Sequence, residues 1–210
     1  ASADYAEDLR LGNEILKTNI EAYRKLRNTM RYILGALDGL KDWEKVYPTD
    51  MPELERYILH RMVEVHGQVM AAYEVFDYKR VFAVLTNFMN QDLSAFYFDI
   101  RKDALYCDRP DAPPRRAART VLDHLFSCLT AWLAPILCFT ADEMWQHLPG
   151  EHEENVLFAT WYEGLAPLPM DATLNGERFD RLLALREQIA KTLEPMRASG
   201  EIGAALDAEI

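Results

Sequence analysis

Apolar residues in this 210-residue chain recur at spacings of three and four, and nowhere do they settle into the period-two alternation of a half-buried strand. A chain patterned this way must bury helix stripes against other helices. Residues 4–37 place Ile15, Leu16, Leu26, Met30, Ile33, Leu34 and Leu37 at helical spacing, and Asp4, Glu7 and Asp8 fall where the dipole of a first turn favours anions. The pattern predicts one long amphipathic helix, ended by Gly35, Gly39 and Pro48. A second helix opens with Asp50 as N-cap followed by Pro52 and Glu53, and runs to about Tyr73. After a turn at Phe76 and Asp77, a third covers 78–101 and buries Val81, Leu85, Phe88, Met89 and Phe96.

A fourth helix over 115–133 repeats Val121, Leu122, Leu125, Phe126 and Leu129 on one stripe, and Pro135 stops it by removing a backbone donor. Thr140 and Glu143 have the T-x-x-E spacing of a capping box that would start a fifth helix through Met144, Trp145 and Leu148, closed by Pro149 and Gly150. Residues 151–174 read as irregular, and a last helix spans 178–197 with Pro195 and Gly200 near its end. The expected fold is all-α: an up-and-down helical bundle over residues 1–150, then a smaller C-terminal helical extension, linker plus helix, over 151–210.

Half of the residues are apolar and 27% are charged, which excludes disorder and supplies a real core. No two of the nine glycines have GxG spacing, so neither a phosphate-binding loop nor a dinucleotide fingerprint can be built. No apolar run approaches the ~18 residues that span a bilayer, and no membrane partner is expected. Cys107, Cys128 and Cys138 are odd in number and widely spaced, which fits a reducing cytoplasm better than a disulfide framework. The net charge of -11 argues against nucleic acid until it is located. Residues 151–210 hold twelve acids against five bases, whereas residues 24–31 contain four bases and no acid.

Spacing decides which side chains could act together in chemistry. No histidine has Glu three residues before it, so the di-iron signature of helical bundles is missing. His124 and Cys128 share a helix face but lack a third ligand at metal spacing, and Ser127, His124 and Asp123 point in different directions. Neither metal nor catalytic residues are assigned. Glu151, Glu153 and Glu154 read as a solvated run. In the first helix, by contrast, Arg10, Lys17, Arg24 and Arg31 recur every seven residues with Asn13, Arg27 and Asn28 between them, a basic ribbon suited to a nucleic-acid backbone. From spacing alone, solvated arginines paired with Glu14 and Glu21 explain the ribbon equally well.

Three stretches, AYRKLRNTMRYILGAL (22–37), DLSAFYFDIRKDALYCD (92–108) and LAPILCFTADEMWQHLPG (133–150), resemble the anticodon-binding helical domain of class I aminoacyl-tRNA synthetases. The opening DYAEDLRLGNEILK (4–17) and closing SGEIGAALDAEI (199–210) are most similar to the isoleucyl branch, with the valyl, leucyl and methionyl branches as alternatives. One departure is Cys138, where the family usually has proline. The resemblance implies tRNA as partner, isoleucine-specific, with Arg24, Arg27 and Arg31 on phosphates, Asn28 on a base edge or sugar, and Lys17 on the stem. Arg27 and Asn28 could instead brace helix packing. The family's His-Ile-Gly-His and Lys-Met-Ser-Lys-Ser type signatures occur nowhere in the chain. The resemblance therefore implies a domain of a longer enzyme, one that would hold ATP and Mg outside these residues and join this piece to catalytic and C-terminal domains. A helical scaffold for a protein partner is the reading from another class.

Overall fold

The computed structural model describes residues 2–3, 5–8, 11–148, 150–161, 165–168 and 175–203. Asp4, Arg10, Pro149 and the closing stretch 204–210, all used in reading the sequence, lie outside the described residues. Regular structure among the described residues is entirely helical. It comprises α1 (Asn13–Leu37), α2 (Glu53–Glu74), α3 (Tyr78–Asn87), a π-helical stretch (Phe88–Tyr97), α4 (Phe98–Cys107), α5 (Pro113–Leu133), α6 (Cys138–Trp145) and α7 (Gly176–Ala198), with short 3-10 turns between. α3, the π-helical stretch and α4 follow without interruption and form one rod over 78–107. The chain divides into two units, Ala1–Pro167 and Leu168–Ile210, so α1 to α6 belong to the first and α7 to the second.

Side-chain pairings fix the direction of each helix in the first unit. Glu55 meets Arg101 and Arg61 meets Asp92, so α2 runs against the rod. Thr29 lies by Ser94 and Tyr32 stacks on Phe98, so α1 runs with the rod. The end of α1 meets Arg119 in the first third of α5, while Tyr23 lies by Thr140 beyond the end of α5, so α1 and α5 are antiparallel. This is the up-and-down bundle that the periodicity requires. Val121, Leu122, Leu125, Phe126 and Leu129 of α5 are fully buried, as are Met30 and Ile33 of α1, Met62 and Val69 of α2, and Leu85 and Phe88 of the rod.

Several boundaries differ from expectation. α1 begins at Asn13, not residue 4: residues 5–7 form a turn, Gly12 is extended, and the first-turn acid is Glu14. The apolar stripe finds core only from Leu26, since Ile15 and Leu16 remain largely exposed. Pro52, not Asp50, occupies the N-cap of α2, because Asp50 is taken up by the 3-10 turn Pro48–Asp50. The rod continues past Arg101 to Cys107, where it buries Leu105, and it buries Leu93 and Tyr97 in place of Phe96, because the wide π turns advance the chain by less rotation per residue. No capping box starts α6: Thr140 is already its third residue. Its first residue is Cys138, the position at which a helix best accommodates proline.

Past α6, Val156 packs with Ala134, Ala141 and Trp145, and the Trp145 indole donates to the Glu153 carbonyl at 2.7 Å. The carboxylates of Glu151, Glu153 and Glu154 face solvent. In the second unit, Asn175 caps α7 by accepting from the Arg178 amide at 3.2 Å, the helix runs through Pro195 in its last turn, and Gly200 takes the left-handed conformation (φ 77°) just after it.

Two buried ionic groups tie the first unit together. Glu55 is completely buried and accepts from both Nε (2.6 Å) and Nη2 (2.7 Å) of Arg101 and from the Tyr97 hydroxyl (3.2 Å). Arg119, buried in α5, pairs with buried Glu44 and donates to the carbonyls of Ala36 (3.1 Å), Leu37 (3.3 Å) and Asp38 (2.8 Å). A side chain from α5 thus satisfies carbonyls that the end of α1 leaves without intrahelical partners. Arg116 adds bonds to the Trp43 and Glu44 carbonyls and lies 5.8 Å over the Trp43 ring. Removing one member of a buried pair strands the other, so Arg119→Ala is expected to lower stability by about 3–5 kcal/mol in urea unfolding. Glu44→Gln, which leaves the guanidinium on its three carbonyls, should cost less than half as much.

The imidazole Nδ1 of His66 accepts from the Trp132 indole at 3.2 Å, which requires the neutral ring, and burial lowers its pKa. Burial lowers His124 as well, against the pull of Asp123. Protonation therefore favours the unfolded chain: the stabilisation is complete above the unfolded value near 6.5 and is lost as pH falls below it. The melting temperature is expected to drop between pH 7.5 and 5.5, and His66→Gln should flatten part of that slope.

Candidate nucleic-acid interface

At 100° per residue, Lys17, Arg24, Asn28 and Arg31 fall within one outward arc of α1, opposite the buried line of Leu26, Met30, Ile33 and Leu37. All four are exposed, and Lys17 to Arg31 spans about 21 Å. The last member of the expected ribbon, Arg10, precedes the helix and lies outside the described residues. Lys17 pairs with Glu14 at 2.8 Å and Arg24 with Glu21 at 2.6 Å, both as exposed neighbours three apart. Such pairs hold little stability and leave the cations available. Arg31 has no carboxylate partner among the described residues.

Arg27 is set differently. It lies on the flank of α1 that meets α6, half-exposed, and its two terminal nitrogens each donate to Glu143 at 2.8 Å. One turn earlier the Tyr23 hydroxyl lies 3.0 Å from that of Thr140, so the same face of α6 is held twice. The bond and the charge of Arg27 hold the Glu143 carboxyl below the usual carboxylate range, with His147 adding to the effect. The two residues that looked like a capping box are therefore the two that dock α6 against α1.

The opposite flank of α1 opens into a cleft of about 570 Å³ against the rod. Lys25, Asn28 and Tyr32 line it from α1; Asn90, Lys102 and Tyr106 line it from the rod. The π-helical stretch shapes its floor, where Ser94 bonds to the Met89 carbonyl five residues back (2.8 Å) and touches the Thr29 hydroxyl (3.3 Å). Tyr32 stacks on Phe98 with centroids 4.5 Å apart, and Tyr106 stands edge-on at 6.4 Å. The Tyr32 hydroxyl is buried without a hydrogen-bond partner, and burial together with the neighbouring Tyr106 pushes its pKa up to about 12. Lys102 is paired with Asp99 at 2.9 Å, and Lys25 has no carboxylate partner among the described residues. The periodicity located the ribbon but missed Asn90, Lys102 and Tyr106; the only signal for them is the amide-rich and aromatic wording of 87–106, which reads as ordinary helix.

Elsewhere the chemistry is closed. Cys128 is buried in α5, and burial pushes its thiol up to about 12, far from the thiolate that a metal or an electrophile requires. The Ser127 hydroxyl is spent on the Asp123 carbonyl at 3.1 Å, and the Asp123 carboxylate on Lys45 at 3.1 Å. Among the described residues no group of three or more His, Cys, Asp or Glu side chains could hold a metal, and no helix is long and apolar enough to cross a membrane.

The geometry agrees with comparisons of the sequence with known proteins. Residues 55–210 match the family described as the anticodon-binding domain of tRNA ligase. The whole chain is 52% identical to part of the isoleucine–tRNA ligase of Stenotrophomonas maltophilia strain R551-3, 51% to that of Xanthomonas axonopodis pv. citri and 50% to that of Xylella fastidiosa strain 9a5c. In each case it spans 22% of the relative's length. A family match over residues 55–210, identities of 50–52% over the whole chain and an all-α bundle place this protein in the anticodon-binding domain family of tRNA ligases.

Proposed function

We propose that the outer face of α1 and the adjoining cleft bind the anticodon stem and loop of isoleucine tRNA, on behalf of a longer cytoplasmic isoleucine–tRNA ligase. Similarity over the whole chain to isoleucine–tRNA ligases supports that identity. ATP and Mg serve the ligase reaction in the catalytic part of that enzyme, and this chain contributes RNA binding alone. Residues 1–150 form the RNA-binding bundle; of the linker and helix over 151–210, the stretch to Pro167 belongs to the same compact unit and α7 to the second.

The observation that carries the reading is the juxtaposition on α1 of an exposed row of cations with a cleft walled by rings and amides. Lys17 meets the stem, and Arg24, Arg27 and Arg31 meet phosphates, which set register without reading sequence. In the free chain Glu143 takes one N–H from each terminal nitrogen of Arg27, at the half-exposed edge of the row. Asn28 stands at the junction of row and cleft, where its amide reaches the edge or sugar of an unpaired base. The exposed ring of Tyr106 offers that base a stacking surface.

If about four phosphates are neutralised, affinity of the 210-residue chain for an anticodon-arm hairpin should fall with salt at a log-log slope of roughly -3 to -4. Replacing Arg24 and Arg31 together by Glu should abolish binding with helicity and melting unchanged. Docking of a protein partner through apolar surface would show no such slope, and retention of RNA binding by the double variant would sink the assignment. Asn28→Ala is expected to change discrimination among hairpins that differ in loop bases while leaving the salt slope intact, measured by competition at one ionic strength.

A further inference from the structure

We propose that Glu143 is a built-in stand-in for phosphate: in the free chain its carboxylate occupies Arg27, and an RNA phosphate displaces it on binding. The inference rests on the RNA-binding reading above and adds to it a residue of α6 that restrains affinity.

Two observations separate this pair from the other ion pairs of α1. Glu14 and Glu21 lie on α1 itself and each meets its cation through one oxygen. Glu143 comes from another helix, 116 residues away, and uses both oxygens on both terminal nitrogens at 2.8 Å. Two parallel N–H···O bonds are the arrangement in which a guanidinium holds a phosphate. The guanidinium is therefore already presented in the orientation that a phosphate needs, with the wrong anion in place.

The pair is also placed for exchange. Both side chains are part-exposed, so water and counterions screen the attraction and can take over either partner as it breaks. Arg27 lies within one helical turn of Arg24 and Arg31, so a backbone that follows the cationic row passes its guanidinium. Besides the charge pair, the Tyr23 hydroxyl, which also lies beside Arg27, meets Thr140 on α6, and Ala141, Met144 and Trp145 bury the far side of α6. Loss of the Arg27–Glu143 bonds therefore leaves α6 docked, which is what an exchangeable contact requires and a structural brace does not. His147, close enough to act on the Glu143 carboxyl, offers the displaced carboxylate a polar neighbour.

The consequence is a penalty on weak or misplaced RNA. A phosphate must outcompete a carboxylate at a site already filled, and until it does, the Glu143 charge repels the backbone. Only an RNA held at neighbouring positions along the row gains enough to complete the swap.

The test compares Glu143→Gln with the unaltered 210-residue chain for binding to an anticodon-arm hairpin by fluorescence anisotropy between 50 and 200 mM salt. Glu143→Gln should bind about threefold tighter at the low-salt end, the effect of one charge about 6 Å away in water. Its salt slope should steepen by about 0.7–0.9, because the carboxylate freed in the unaltered chain takes up a cation that Gln does not. In an Arg27→Gln background the same change should give no gain. Weaker or unchanged binding by Glu143→Gln, or an equal gain without Arg27, overturns the inference while leaving the RNA-binding reading intact. Absence of salt-dependent binding by the unaltered chain overturns both. Should Glu143→Gln melt below the assay temperature, the Arg27 side-chain N–H signals of the unaltered chain decide by NMR. A shift on adding RNA supports exchange, and unchanged signals in the saturated complex refute it.

Discussion

The geometry of this domain depends on the buried ion pair between Arg119 and Glu44. Arg119 projects from α5 and gathers the last carbonyls of α1, while Glu44 in the following turn holds the guanidinium and accepts from the Lys41 amide at 3.1 Å. The end of α1, the 38–46 connection and the middle of the bundle are thereby joined through one side chain. The Thr120 hydroxyl, which receives the Val46 amide, and the Asp123 carboxylate, which receives Lys45, extend the same seam along α5. A buried pair of this kind contributes specificity more than net stability, because the desolvation of both charges offsets their attraction. What it specifies is the azimuth of α1. A rotation of that helix would pull its carbonyls off Arg119 and turn the cationic row away from solvent.

How much of this was legible in the sequence depends on the range of the interaction concerned. The α5 stripe from Val121 to Leu129 could be read directly, because its periodicity and its burial have one cause, a helix surrounded by other helices. Lys17, Arg24 and Arg31 could be placed on one face for the same local reason. The start of α1 could not, since an extended Gly12 and a turn before it leave no apolar gap in the sequence. The widened turns of 88–97 were invisible too: they moved burial from Phe96 to Leu93 and Tyr97, and only the fit of the rod against α1 and α2 selects them. Thr140 and Glu143 show the limit of a local motif. Two residues with the spacing of a cap serve partners on α1 more than a hundred residues away, and no spacing rule reaches that far.

The charge of the chain illustrates the difference between a sum and a field. The net value of -11 sets the repulsion of an approaching polyanion at low ionic strength, but at physiological salt charges farther away than the Debye length, about 8 Å, are largely screened. At contact, RNA meets only what lies within that range, and along the outer face of α1 those groups are mostly cations whose acidic neighbours are exposed and weakly held. The global sign thus discourages indiscriminate association and leaves the local face to decide specific contact.

The π-helical stretch gives the cleft a sensitivity that its lining residues do not reveal. Every residue of an α-helix turns the chain by about 100°, so the azimuth of α4 is fixed by the number of residues that precede it in the rod. If the wide turns of 88–97 closed into ordinary ones without loss of a residue, Lys102 and Tyr106 would swing by about that angle away from α1 with no substitution at either position. The same closure would carry Arg101 away from Glu55 and leave a buried carboxylate without its partner. Chain length and winding within this segment are therefore coupled under a double constraint, from the core and from the cleft. Insertions and deletions here should be far rarer among related chains than in the turns that join the helices.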